Sequence, residues 1–421
     1  AQSVAAIPPL VREAVRQLRS GTPQPVGIEI SHDLLSAEDE ASVIEPPSDE
    51  DGRLPPDPAA IEQAARLLDA ARRPVIYVGG GVLAARGSDA LARLAEKLRA
   101  PVVMSENGRG ALSDRHKLAL NALAGRAVFE HADLVLIAGS RFVDMALGKP
   151  AWASPRTQFV FLNTNPSVWA SPQRADAAIH ADARLGLEAL ADAVATRAGW
   201  ADDLDRVRVW ASEQSDTIEP QRSWTDALRG ALPDDAILVN ELTQVGYFAR
   251  IGYPVYEPGS YVGPGYQGTL GFGFPTALGA AAGNPARPVV SITGDGGFGY
   301  AIQELATARK YHLRVAVVVF NDGHFGNVRR MQLDQFSSAF GDELQNPDFS
   351  LLARAFDVDY ARTDTPEALQ SALRKWVASS GPILLEARVG TMPSPWHLLR
   401  LKPPPFAAKH ATPPNPLGPA A

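Results

Sequence analysis

The sequence predicts an α/β protein made of two doubly wound parallel-sheet domains, with a remnant of a third at its N-terminus. Three observations carry that expectation. Short apolar runs such as "PVIYV", "LVLIA" and "VAVVVF" are unbroken rather than alternating, as in strands covered on both faces. Helical spacing lies between them, so strand and helix signals alternate along most of the chain. Its 421 residues exceed one ordinary domain and are comfortable for two or three.

Residues 1–35 read as a helix, with Val11 to Leu18 at helical spacing, then a Gly-Thr-Pro turn and a strand at "PVGIEI". They are too short for a domain and read as the last helix and strand of something larger. Residues 36–58 are acidic, rich in proline and poor in large apolar side chains, so they read as a linker. Residues 59–198 form a central domain, with strands at "RPVIYVGGG", "PVVMS", "HADLVLIAGS" and "TQFVFLNTN" and helices at "SDALARLAEKLRA" and "LGLEALADAVATRA". A helical connector follows at 199–224. Residues 225–391 repeat the alternation, with strands at "AILVN", "PVVSIT", "RVAVVVFN" and "GPILLEARV". From 392 to 421 proline is too frequent for regular structure, which predicts an arm draped over the surface.

The composition is that of a globular chain, with 45% hydrophobic and 21% charged residues. A net charge of −7 with interspersed signs argues against nucleic acid or an anionic membrane surface as partner. The absence of cysteine removes disulfides, thiolate metal sites and cysteine nucleophiles. No apolar run approaches the roughly 20 residues needed to span a bilayer, and the first residues lack a secretory layout. A cytoplasmic enzyme is the expectation. The eight histidines form no metal constellation, and no Ser-His-Asp or Walker pattern is visible.

The informative stretch is "VVSITGDGGFGYAIQELATARKYHLRVAVVVFNDGHFGNVRR", residues 289–330. A strand ends at Gly294-Asp295-Gly296-Gly297, and a helix is expected to start near Phe298 to Tyr300. Ligands of parallel sheets sit beyond the carboxyl ends of the strands, where free helix N–H groups favour a phosphate. Glycine lets the backbone approach that anion. An aspartate there would repel it, unless a divalent cation lay between them. Asp295 would then be a hard oxygen ligand for Mg²⁺ or Ca²⁺. The next strand ends in Asn321 and Asp322, the latter 27 residues after Asp295. On the residues alone, an ordinary Gly-Asp-Gly turn and a metal-diphosphate site both remain open.

"GDG" followed after about 25 residues by "NN" or "ND" resembles the signature of thiamine diphosphate enzymes. "PGYQGTLGFGFPTALGAA" and "QELATA" look like the acetolactate synthase branch, as do "APVVMSENGRGAL", "ADLVLIAGSRFVD", "NPDFSLLARAF" and "MPSPW". The resemblance covers nearly the whole chain. It implies a Mg²⁺ held by Asp295, by Asp322 and by the carbonyl of His324. The usual second ligand is Asn, so the Asn-Asp pair is a departure; a register slip would put Asn321 and the carbonyl of Gly323 there instead. Gly294, Gly296 and Gly297 would approach the diphosphate, as would Gln244, Val245, Gly246 and Tyr247 in "NELTQVGYFA". His324, Phe325 and Gly326 would line the cofactor's tail, with Tyr247 and Phe325 equally readable as core aromatics. In "GYQGTLG", which contains Gln267, the resemblance gives Leu270 the role of bulk under the bent cofactor and Gly268 that of carbonyl acceptor for its amino group.

The family's catalytic glutamate belongs to a pyrimidine-binding domain that precedes everything seen here, and Glu13 and Glu29 do not match it. The sequence is then either a fragment or one subunit of a split enzyme, completed by a partner chain in at least a dimer. Alone it is expected to bind cofactor weakly and not turn over. The activity implied is decarboxylation of a 2-oxo acid with carboligation. A decarboxylase for an aryl or branched 2-oxo acid is the close alternative, and a non-catalytic cofactor-binding subunit a third. FAD in the central domain is permitted by the glycine turn at 79–81, for which a structural role is the better reading. That turn lacks the spacing of a nicotinamide-binding motif.

Overall fold

The computed structural model of the chain describes residues 1–46, 48, 52–142, 156–170, 174–196, 199–265, 267–399 and 413–418. Among them the chain forms two parallel six-stranded sheets, each covered by helices. The first contains β1 Pro74–Val78, β2 Val102–Met104, β3 Ala119–Leu120, β4 Leu134–Ala138, β5 Gln158–Asn163 and β6 Ala177–His180, in the order β3-β2-β1-β4-β5-β6. All residues of β1 and β4 are buried, which explains their unbroken apolar sequence. Polar side chains fix the flanking helices: Asp57 caps Pro58–Ala70 and Asp182 caps Ala183–Ala193.

The second sheet contains β7 Ile237–Asn240, β8 Tyr261–Val262, β9 Val289–Gly294, β10 Val315–Asn321, β11 Asp359–Arg362 and β12 Ile383–Arg388, in the order β11-β12-β10-β9-β7-β8. Its register places the chemistry. Gly294 of β9 stands opposite Phe320 of β10, and Asn240 of β7 opposite Ile292 of β9. The turns after these three adjacent strands therefore open side by side at one edge of the sheet.

A buried arginine joins the two sheets' layers. Arg109, after β2, is 3% exposed and donates to the carbonyls of Ala249 (2.8 Å), Arg250 (3.1 Å) and Tyr253. Its guanidinium also meets Asp114 at 3.1 Å and lies over the Tyr261 ring at 4.8 Å. The C-terminal segment crosses in the other direction. Trp396–Leu399 is helical, and the carbonyls of His397 and Leu398 accept from Arg126 at 3.1 Å. Farther on, Asn415 donates to the carbonyl of Ala127 and to Glu130. Residues 400–412 and 419–421 of the expected arm lie outside the described residues, as do parts of the expected linker.

Three expectations need correction. "PVGIEI" is not a strand: residues 23–31 carry no strand, and Ile28 is 38% exposed with no sheet edge to pair with. The expected helical connector carries the helix Ala201–Asp216 and the start of a second, Gln221–Ala231, with Pro220 between them. The helix after β9 begins at Asp295 rather than at Phe298–Tyr300, as a short turn Asp295–Phe298 followed by a 3-10 turn and Leu305–Lys310. The proline-rich end does contain a helical turn, at Trp396–Leu399, because its apolar side chains are buried. Among the described residues no helix is long and apolar enough to cross a membrane.

Candidate active site

Asp295 is the first residue of its helical turn and is 2% exposed. Its Oδ2 accepts from the backbone N–H of Gly323 at 3.0 Å and from the side chain of Asn346 at 2.6 Å. Asn321 points its Oδ1 at the same two donors, each at 3.2 Å, because its own amide nitrogen is held by Glu386 at 2.8 Å. Asp322 turns back over its own loop, where its Oδ1 accepts from the N–H of His324 at 3.0 Å. The aspartates face each other closely enough to interact. Burial pushes the Asp322 carboxyl up to about 6, and the charge on Asp295 pushes in the same direction. Asp295 is also raised by burial, an effect opposed by the hydrogen bond from Asn346.

These hard oxygens fit a divalent cation. Among the described residues no group of three or more His, Cys, Asp or Glu is arranged to hold a metal, so the chain's share is a partial shell. The carbonyl of Gly323 accepts from Leu344 at 2.8 Å.

The expected diphosphate residues divide by what they touch. Gln244, at the start of the helix Gln244–Gly252, and Asp322 both lie against Gly326: a Cβ there would meet Gln244 Nε2 at 3.1 Å and Asp322 Oδ2 at 2.4 Å. Val245 is fully buried in the apolar core, so only its backbone could face a ligand. Gly246 is small because a Cβ would strike the Glu241 carbonyl at 2.1 Å. Tyr247 is a buried aromatic, 7% exposed and 4.9 Å from the Trp396 ring, in keeping with its reading as a core residue. Phe325 lies against Gly296, where a Cβ would meet its ring at 2.5 Å. His324 turns its Nδ1 to the carbonyl of Asp322 at 2.8 Å.

The loop from Gln267 to Gly273 closes over this turn. Gly268 and Gly271 have φ of +60° and +78°, a conformation that favours glycine. Gly271 sits over Tyr300, where a Cβ would approach to 2.8 Å. Gln267 is exposed, and Leu270 is 36% exposed.

Two residues that sequence reasoning passed over belong here. Asn346 reaches Asp295 from 51 positions away, a link with no local signal. Glu241, directly after β7, is 1% exposed and accepts from the N–H groups of Gly271 (2.8 Å) and Gly273 (2.7 Å). A glutamate interrupting an apolar strand end was the available signal.

A cavity of about 630 Å³ lies elsewhere, at the carboxyl ends of β1 and β4. It is lined by Gly79, Asn107, Ser140, Asn163 and Asp182. The glycine turn there has a packing reason of its own, since a Cβ at Gly79 or Gly81 would meet the Gly139 backbone at 2.5 to 2.8 Å.

Comparison with known proteins matches two stretches of the chain. Residues 61–190 match the thiamine pyrophosphate enzyme central domain, and residues 243–387 match the C-terminal thiamine pyrophosphate-binding domain. The acetolactate synthase large subunit of Parasynechococcus marenigrum is 32% identical, with 90% of this chain aligned to 65% of that protein. A Pseudomonas aeruginosa protein described as "Probable 2-ketoarginine decarboxylase AruI" is also 32% identical, over 91% of this chain and 70% of its own length. The chain thus spans about two thirds of the length of these relatives. The solved 4-hydroxybenzoylformate decarboxylase of Rhodococcus jostii superposes with a TM-score of 0.76 at 25% identity, over 93% of this chain and 75% of that one. The chain belongs to the thiamine pyrophosphate enzyme family and has acetolactate synthase large subunits among its homologues.

Proposed function

We propose that the chain supplies the metal-diphosphate half of a thiamine diphosphate site that decarboxylates a 2-oxo acid and joins the product to a second carbonyl, as an acetolactate synthase does. The observation that carries this reading is the pair Asp295 and Asp322, two carboxylates raised by burial at adjacent turns and hydrogen-bonded by amide N–H groups. Mg²⁺ between them would relieve the repulsion, with the His324 carbonyl, water and diphosphate oxygens completing its shell. The backbone of Gly296, Gly297 and Gln244–Gly246 would face the diphosphate. Leu270 would support the bend of the cofactor, and the Gly268 carbonyl would accept from its amino group. When bound, the cofactor supplies the electron sink for decarboxylation.

The general acid/base glutamate comes, in this proposal, from a pyrimidine-binding domain outside residues 1–421. It is carried either by the same longer polypeptide or by a partner chain in an oligomer. The fold neighbour and the 32% identical relative support a second reading, a simple 2-oxo acid decarboxylase using the same cofactor residues. A non-catalytic cofactor-binding subunit is a third reading, against which the paired carboxylates weigh. The glycine turn at 79–81 is assigned to packing rather than to FAD. The test supplies the enzyme, with its glutamate-bearing domain, with Mg²⁺, thiamine diphosphate and pyruvate or aryl and branched 2-oxo acids. Acetolactate or another carboligation product supports the first reading, and aldehyde with CO₂ supports the second. No consumption of any 2-oxo acid overturns both.

A further inference from the structure

Glu241 has no place in the diphosphate reading, yet the fold makes unusual room for it. Its two carboxylate oxygens are divided between two N–H groups of one loop, Gly271 on Oε1 and Gly273 on Oε2. The Thr293 hydroxyl approaches it from the end of β9. Two glycines clear the space. A Cβ at Gly297 would lie 2.1 Å from Oε1, and a Cβ at Gly273 would lie 2.6 Å from Oε2. One glycine belongs to the diphosphate turn and the other to the loop carrying Gly268 and Leu270. A carboxylate desolvated this far is costly unless its hydrogen bonds are satisfied, so the loop position and the ionised carboxylate stabilise each other.

We infer that Glu241 is a positioning residue that locks the Gly268–Gly273 loop against the Asp295 turn, setting the distance between the groups that receive the aminopyrimidine and those that receive the diphosphate. The inference rests on the thiamine diphosphate reading above. On that reading thiamine diphosphate would touch both loops, whereas inorganic pyrophosphate would touch only the turn. A residue that sets the spacing must therefore act on the first ligand far more than on the second.

The experiment measures dissociation constants for thiamine diphosphate and for inorganic pyrophosphate, each with saturating Mg²⁺, in the complete enzyme and in Glu241→Gln. Glutamine keeps the volume but sets an amide N–H₂ against one of the two loop N–H groups. The expected result is at least a tenfold rise in the thiamine diphosphate constant, with the pyrophosphate constant within twofold. Equal rises for both ligands, or no rise for either, overturn the assignment. Gly273→Ala displaces the carboxylate from the other side while keeping Glu241. It is expected to reproduce the split, and it decides the matter if Glu241→Gln does not fold. Should the unmodified enzyme take pyrophosphate but not thiamine diphosphate, the underlying reading fails. A normal wild-type affinity with no split in either variant sinks the Glu241 role alone.

Discussion

Asp322 departs from the asparagine usual at this position of the family signature, and its surroundings give that departure a measurable consequence. Burial and the neighbouring Asp295 hold its carboxyl at about 6 instead of 3.8. A cation must displace that proton. Apparent affinity is then reduced by a factor of one plus ten to the power of pKa minus pH, about elevenfold at pH 5 and about 1.1-fold at pH 7. The difference, roughly tenfold, corresponds to about 1.4 kcal/mol. Asp322→Asn removes this titration while keeping a side-chain oxygen. The assay titrates Mg²⁺-thiamine diphosphate into wild type and variant at pH 5, 6 and 7 and takes the ratio of their dissociation constants, so that proton binding by the ligand and by Asp295 largely cancels. Wild type should lose about tenfold more affinity than the variant between pH 7 and pH 5. The stability of the cofactor-free protein follows the same linkage. The folded-state pKa is raised, so this group's contribution is present below about 3.8 and is lost as pH rises through about 6. Asp322→Asn should therefore stabilise the cofactor-free protein at pH 7, an effect that solvent screening at this partly exposed site keeps modest. Identical pH dependence of binding in the two proteins would show that no cation sits on Asp322.

Two other perturbations separate the ligand site from the scaffold. Leu270→Ala should cost under about 1 kcal/mol of stability, because the side chain is already 36% exposed, yet it should weaken thiamine diphosphate at least tenfold. A melting curve and a binding titration on the same sample check both halves. Arg109→Ala should do the reverse at the interface between the sheets' layers. It removes the charged partner of Asp114, which keeps the N–H of Val255, and one donor from each of three backbone carbonyls, a loss of about 3 kcal/mol for one side of a buried ion pair. Denaturant melts followed by tryptophan fluorescence should show the reduced midpoint.

How far the sequence could be read follows from which forces are local. β9 and β10 announced themselves because strands buried on both faces must be apolar throughout, and Asp295 and Asp322 stood out as charges where such strands end. β11 did not, since Asp359–Arg362 lies at the sheet edge and is half-exposed, leaving an ordinary polar sequence. β3 and β8 are two residues each, shorter than any periodicity can register. "PVGIEI" misled for the opposite reason: strand-like composition has no effect without a neighbour to pair with. Asn346 and Glu386, which orient Asp295 and Asn321, reach the site from 51 and 65 residues away, and only tertiary structure brings them there.

The glycines teach the sharper lesson. Read from sequence, the glycine-rich turns suggest backbone laid bare for a phosphate, and each glycine invites that role. In the fold many of these positions are small for neighbours within the chain: Gly296 for the Phe325 ring, Gly326 for Asp322, Gly246 for the Glu241 carbonyl, Gly273 and Gly297 for the Glu241 carboxylate. Small residues let three loops interlock around two buried acids and a third carboxylate, and that interlocking holds the backbone donors of the turn in fixed relation. The site's affinity for the whole cofactor, as distinct from a bare anion, would then depend on loop-to-loop packing as much as on any exposed N–H. Substitutions at Gly273, beyond the reach of the diphosphate turn's own backbone, are accordingly where the packing account and the phosphate-approach account give different results. The first requires cofactor binding to suffer from an added methyl group, and the second requires it to be indifferent.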